Sequence, residues 1–382
     1  MRRLIKFSVF SAVVILFIVS STPQGRSGVK AALFISHLLT ELQNSPLTVF
    51  TRDIQHQKIQ FEVPDSSSKA QADLYLPSGS SLQPAIVFFM GIVPPNREEE
   101  RIVRLAEGLA RSGMVVMIPW LETQKTNQLS REDIGSLVAS FKYLETHPRV
   151  RPDAIGMGGI CTGASMSVIA AQDPRINEKV KFVNSFAGYY DAIELIVSTS
   201  SNTQRVDQNV QPWNSDNLTS NMITNHLING LAPEDKTRIT EIINSDLGSK
   251  PTGQLLSKNA HAVFQLVSGS TRKEAIKYTS DLNQETQSFL ASMSPSTNIK
   301  DLKAHLLLMH DTHDRLIPSG ESRRFAKDVE QNGGSVYHTE FSLFQKAVKV
   351  HTTKEDNTEN TFFLGEAWKL FLHMYNVMKL AR

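Results

Sequence analysis

The sequence predicts an α/β fold, a mostly parallel sheet with helices on both faces, entered through an antiparallel hairpin. Three observations predict it. Continuous apolar runs of strand length occur at 85–91 and 114–120, and shorter apolar stretches recur within 180–188 and 304–311, as expected of strands buried on both faces. The segments between them carry apolar residues at helical spacing. Strand and helix alternate in this order along most of the chain, which is how a parallel sheet with crossover helices is written in sequence.

The elements follow in order. Arg2, Arg3 and Lys6 flank an uncharged apolar run at 7–19. Its length fits a signal-peptide core better than a full span of roughly 20 residues. The basic flank keeps that end cytoplasmic and exports the rest. Residues 1–28 are therefore expected to be a cleaved signal or an uncleaved anchor, with membrane association through residues 4–21 in the second case. Either way the body lies outside the cytoplasm. Residues 29–57 follow as a helix and linker, with Ala32, Ile35, Leu39 and Leu42 on one stripe. Packing on the main body is favoured over a membrane-hugging role.

The first part of the core is expected over 58–188. "KIQFEVP" and "QADLYLP" alternate apolar and polar residues and form the hairpin. "AIVFFMG" is the first buried strand, and "REEERIVRLAEGLARSG" the helix after it, stopped by Gly113. "MVVMIPW" follows. The next helix opens on Ser130 and Asp133 in capping-box spacing and carries Ile134, Leu137, Val138, Phe141 and Leu144 as its stripe. "DAIGMGGI" then leads into "TGASMSVIAAQ", and "VKFVNSFAG" closes this half. The second part, 301–382, holds two more strands and two helices. Between the parts, residues 189–300 are rich in Ser, Asn, Thr and Gln. They show helical stretches such as "PEDKTRITEIINSDL" and "TRKEAIKYTSDLNQETQSFL" but no buried-strand pattern. A structureless loop of that length is unusual inside a domain, so this segment is read as a large helical cap inserted over one end of the sheet.

Composition excludes several functions. The 382 residues carry 40 basic and 38 acidic side chains, a net charge of +2, and no basic stripe for nucleic acid is visible. A single cysteine excludes an internal disulfide framework and any cysteine-based zinc site. No metal and no cofactor is implied.

That cysteine is Cys161, in "GMGGICTGAS". It follows a buried strand directly and precedes a helix, with Gly159 and Gly163 two positions to either side. In a parallel α/β sheet reactive groups gather at the carboxyl ends of the strands. A strand-to-helix turn this sharp crowds those two flanking positions, and glycine relieves the clash. The helix directs N–H groups at the sulfur, which favours thiolate. A small buried cysteine in a Gly-rich turn is the alternative. If Cys161 is a nucleophile, an acid and a base should follow it in that order, each after a strand. Asp314 in "MHDTHDRLIP" is the acid, with Asp311 and Asp191 as weaker candidates. His351 in "QKAVKVHTTKED" is the base by position, ahead of His338, His310 and His313. The backbone N–H groups of Thr162 and of Ile92, or else Gly91, are the expected oxyanion donors.

With these parts in place the chain resembles the α/β-hydrolase superfamily, and within it the dienelactone hydrolases, over roughly 58–188 and 301–380. The resemblance rests on "GGICTGAS", on "MHDTHDRLIP" and on the element order. It implies an α/β-hydrolase fold and cleavage of a small-molecule ester or lactone through a Cys-His-Asp triad and a thioester. Two departures stand out. Dienelactone hydrolases hold a glutamate in the loop after the first buried strand, whereas "GIVPPN" has no carboxylate, so that mode of thiol activation does not carry over. The insertion at 189–300 is also far larger than theirs. Two alternatives remain: an acyltransferase resembling polyhydroxyalkanoate synthases, and a non-catalytic binding protein on the same fold.

Overall fold

The computed structural model describes residues 21–39, 45–64, 69–91, 97–121, 123–124, 128–244, 257–342 and 360–382. Residues 1–20, Ile92 and His351 lie outside them. Among the described residues no helix is long and apolar enough to cross a membrane.

Helices α1 (Pro23–Leu39) and α2 (Pro46–Phe50) precede strands β1 (Gln55–Glu62), β2 (Lys69–Leu76) and β3 (Gln83–Phe89). Helix α3 (Glu100–Arg111), β4 (Val115–Trp120), α4 (Arg131–Glu145), β5 (Val150–Ile160), α5 (Thr162–Ala171) and β6 (Phe182–Phe186) complete the first half. The segment that follows contains α6 (Ala192–Ser201), a hairpin of β7 (Thr203–Val206) and β8 (Asn209–Pro212), and α7 (Asn217–Asn229). It continues with α8 (Pro233–Asn244), α9 (Lys258–Ser268), α10 (Arg272–Asp281), α11 (Gln284–Ser292) and a 3-10 helix at Pro295–Asp301. Strand β9 (His305–Asp311), α12 (Gly320–Gln331), β10 (Val336–Phe341) and α13 (Asn360–Leu380) return to the core.

Eight strands form one sheet in the order β1-β2-β4-β3-β5-β6-β9-β10. β1 pairs antiparallel with β2 and β2 antiparallel with β4; the pairings from β4 to β10 are parallel. The side-chain period of two splits each buried strand between two apolar layers. On β3, Val87 and Phe89 join Phe141, Met166 and Phe325 on one face, while Ile86 and Phe88 join Phe34, Ile102 and Met374 on the other. Burying each such side chain contributes about 1.5–3 kcal/mol. This two-sided burial is why the strands read as unbroken apolar runs.

Local signals set several boundaries. Ser130 and Asp133 form the capping box that starts α4. The polar stretch 271–290 reads as one helix in sequence, yet it is two. Asn283 stops the first and caps the second, accepting the Thr286 N–H at 2.7 Å. The hairpin β7–β8 has no counterpart in the sequence reading; its strands are four residues each and β8 is exposed throughout. Helix α1 begins at Pro23, six residues before the expected start at 29. It packs on the main body through Ala31, Phe34 and Ile35, and Ser27 donates to the Met378 carbonyl of α13.

Helix α13 is tied to the sheet by His373, which is fully buried. Its Nε2–H donates to Asn184 Oδ1 at 2.8 Å, and Nδ1 accepts the Thr339 hydroxyl at 3.0 Å. Burial first, and the neighbouring His338 second, hold its pKa down to about 3. An unfolded imidazole titrates near about 6.5, so the stabilisation is complete above that pH and drains away as pH falls toward 3. Burial pushes Glu321 up to about 7 and Asp133 up to about 6. Both carboxyls act in the opposite direction, so the His373 effect is read by difference. From pH 7 to about pH 4.5, urea unfolding of the wild type should lose about 2–3 kcal/mol more than that of His373→Gln. Parallel stability curves for the two proteins would refute this.

Candidate active site

The backbone turns from strand to helix on one residue. Cys161 N–H still donates to the Phe186 carbonyl of β6 at 2.9 Å, as a strand residue does, while its own carbonyl accepts the Ala164 N–H at 3.0 Å, as a helix start does. Serving both forces φ to +54° and ψ to −129°, a region that costs of order 1–3 kcal/mol for a residue with a side chain. The flanking glycines make the turn feasible. A Cβ on Gly159 would sit 2.5 Å from the Phe89 oxygen, and one on Gly163 would sit 2.3 Å from that oxygen and 2.4 Å from Gly91 N. Three backbone segments thus meet with no room for a methyl group.

Cys161 keeps part of its surface open and touches the apolar cluster of the 189–300 segment. Its thiol does not ionise readily. Burial above all, and then the charge of Asp314, push it up to about 12, against the pull of the Thr162 N–H. The helix terminus therefore does not produce the thiolate that sequence reasoning expected, because desolvation outweighs one backbone N–H. Burial and the Asp314 charge thus both favour the protonated thiol.

Asp314 lies in the turn after β9 and is buried. Its Oδ1 accepts the Leu316 and Ile317 N–H groups at 2.6 and 3.2 Å. The turn is bolted from above by Trp213, whose indole N–H donates to the Asp314 carbonyl at 2.7 Å, and by Thr219, whose hydroxyl donates to the Leu316 carbonyl. From below, buried His310 donates Nε2–H to the Ile317 carbonyl at 2.9 Å and stands 3.7 Å from Asp314 Oδ2. His310 braces the acid's turn. Asp311 accepts the His313 N–H of the same turn. Asp191 caps α6 through the Ile193 and Glu194 N–H groups, a structural task. His338 pairs with Ser322, and His313 is largely exposed with its ring bonded to the Ser342 carbonyl. His351, the expected base, lies outside the described residues. Strand β10 ends beside the acid's turn: Phe341 pairs with Asp311, and its carbonyl accepts the Thr312 N–H at 2.7 Å.

On the oxyanion side, Gly91 (φ +80°) abuts the start of α5; a Cβ there would lie 2.6 Å from Thr162 Oγ1. Ile92, the favoured second donor, lies outside the described residues. One residue the sequence reading missed holds this loop. Gln124, buried, donates Nε2–H to the Gly91 carbonyl at 2.6 Å and accepts the Leu121 N–H on its other amide atom. Neither it nor Trp213 stands out in a polar stretch, since one hydrogen bond leaves no periodic trace.

A cavity of about 280 Å³ opens beside Cys161 and Thr162 and runs under the face of the sheet that α1, α3 and α13 cover. Cys161, Thr162, Leu316 and Ile317 share its wall, so the Cys161 elbow and the Asp314 turn border one space.

No protein-family model and no curated protein matches the chain by sequence. In structure it is similar to the uncomplexed acylaminoacyl peptidase of Pyrococcus horikoshii, with a TM-score of 0.50 and 14% identity over 87% of this chain and 43% of that one. The chain thus spans about two fifths of that peptidase's length. It is also similar to a thermostable carboxylesterase cloned from a metagenomic library, with a TM-score of 0.49 and 14% identity over 94% and 98% of the two chains. A Klebsiella pneumoniae protein named as a dienelactone hydrolase gives a TM-score of 0.45 and 11% identity over 85% and 99%. At such identities the likeness is one of architecture. A parallel sheet in this strand order, passing into its helix through one strained residue and covered at that end by further helices, gives the chain the α/β-hydrolase fold.

Proposed function

We propose that the protein hydrolyses carboxylic esters or lactones with Cys161 as nucleophile. His351 takes the thiol proton as the sulfur bonds to the acyl carbon. The N–H of Thr162 and a donor from Gly91 or Ile92 hold the oxyanion. The tetrahedral species collapses to a thioester, and the leaving alkoxide takes the proton from the imidazolium. Water, deprotonated by the same imidazole, then attacks the thioester and releases the acid and the free thiol. Asp314 fixes the ring's tautomer and steadies its charge. The thiol stays neutral between turnovers, which makes the imidazole a general base rather than half of a resting ion pair. We also place the catalytic body outside the cytoplasm, on the strength of Arg2, Arg3 and Lys6 ahead of the apolar run 7–19.

One observation carries the reading: the strained φ of Cys161 at the junction of β5 and α5, which presents the sulfur at the carboxyl edge of the sheet. A structural cysteine has no use for that strain. Acid-quenching the protein during turnover of p-nitrophenyl butyrate and weighing its peptides should reveal a butyryl adduct on the peptide holding Cys161. Turnover with the acyl group elsewhere would overturn the thioester mechanism, and no turnover of any ester or lactone would leave a binding protein.

A further inference from the structure

We propose that the cavity beside Cys161 is an acyl-chain tunnel, and that the substrates are esters of unbranched medium- to long-chain fatty acids. This rests on the reading of Cys161 as nucleophile and adds the substrate class to it. The tunnel's sheet wall is Ile86 and Phe88 of β3, Phe186 of β6 and Met309 of β9. Its opposite wall comes from Phe34 of α1, Leu105 and Leu109 of α3, and Met374 and Val377 of α13. Interiors are ordinarily packed with few voids larger than a water molecule. Flexible Met and Leu side chains would be expected to close such a gap, yet here it stays open and reaches the thiol.

The polarity is graded along its length. Glu99 and Arg101, which form an ion pair, and Asn221 and Asn225 of α7 belong to the end of the sheet where Cys161 lies. The deep part is hydrocarbon, except for Asn184, whose amide oxygen is taken by His373. Along β3 and the residue after it, the wall runs from Met90 to Ile86, a drop of about 13 Å, the reach of a chain of roughly ten carbons. A carbonyl at Cys161 with its alkyl tail in this space leaves the alcohol portion at the polar mouth. A short or strongly polar acyl group would leave the deep walls unfilled.

The test compares kcat/KM across p-nitrophenyl esters from acetate to palmitate, using the full chain. The expected profile rises at least tenfold from acetate to decanoate. Met374→Trp, and independently Val377→Phe, narrow the deep part and should lower the decanoate-to-acetate ratio at least tenfold, with a thermal melt confirming that each variant is folded. A profile that is flat or falls with chain length, or a ratio unmoved in both folded variants, overturns the tunnel. If no ester is turned over, the catalytic reading fails separately. The tunnel is then judged by binding of cis-parinaric acid to Cys161→Ala: saturable binding weakened by Met374→Trp supports it, and absence of binding refutes it.

Discussion

Cys161→Ala should lower ester turnover by at least about a thousandfold, a loss of about 4 kcal/mol of transition-state stabilisation. The alanine keeps the Cβ and the strained backbone and removes only the atom that forms the bond. The fold, the Thr162 N–H and the cavity remain, so the melting temperature should change little. Cys161→Ser sharpens the test. With its pKa raised to about 12, the thiol would depend, on the proposed mechanism, on a base to remove its proton during attack, as a hydroxyl does. The serine variant should therefore keep activity within about a hundredfold of wild type. An enzyme relying on a resting thiolate would lose far more. Turnover of p-nitrophenyl butyrate by the three proteins decides between them, and undiminished turnover by the alanine variant would remove the catalytic role.

Gly163→Ala should do the second-largest damage, although it adds only one methyl group. That methyl would lie 2.3 Å from the Phe89 oxygen and 2.4 Å from Gly91 N. Both are backbone atoms, so no rotamer change relieves the overlap. Phe89 is fixed by parallel pairing to Gly159, and Gly91 is anchored by Gln124. Either β3 separates from the elbow or α5 shifts away from it. We expect a loss of about 3 kcal/mol or more in stability and a fall in kcat of over about a hundredfold, because the displaced loop holds the proposed oxyanion donor. Denaturant midpoints and kcat measure the two effects independently. A variant with an unchanged midpoint would mean the glycine is not the close contact it is taken to be.

Much of the architecture was legible because it is written in repeated signals. Doubly buried strands are continuous apolar runs, helices show their stripe, and Gly159-x-Cys161-x-Gly163 follows from the steric demand of one turn. What could not be read rests on single contacts. Asn283 splits a helical stretch with one cap, Trp213 and Gln124 each act through individual hydrogen bonds, and the β7–β8 hairpin is too short for periodicity. The state of the thiol was misjudged for another reason. The helix terminus is visible in sequence, but the burial and the Asp314 charge that outweigh it depend on the tertiary arrangement. Of the proposed catalytic set, the structure brings Cys161, Thr162, Gly91 and the Asp314 turn to one end of the sheet. His351 stands on its place in the chain after β10.

The high pKa of Cys161 also bears on chemical durability. Peroxide attacks sulfur as the anion, and the path to sulfenic and then irreversible sulfinic acid begins there. A thiol kept protonated offers oxidants little to react with. On the proposed mechanism, the burial that raises the thiol's pKa would also slow its oxidation.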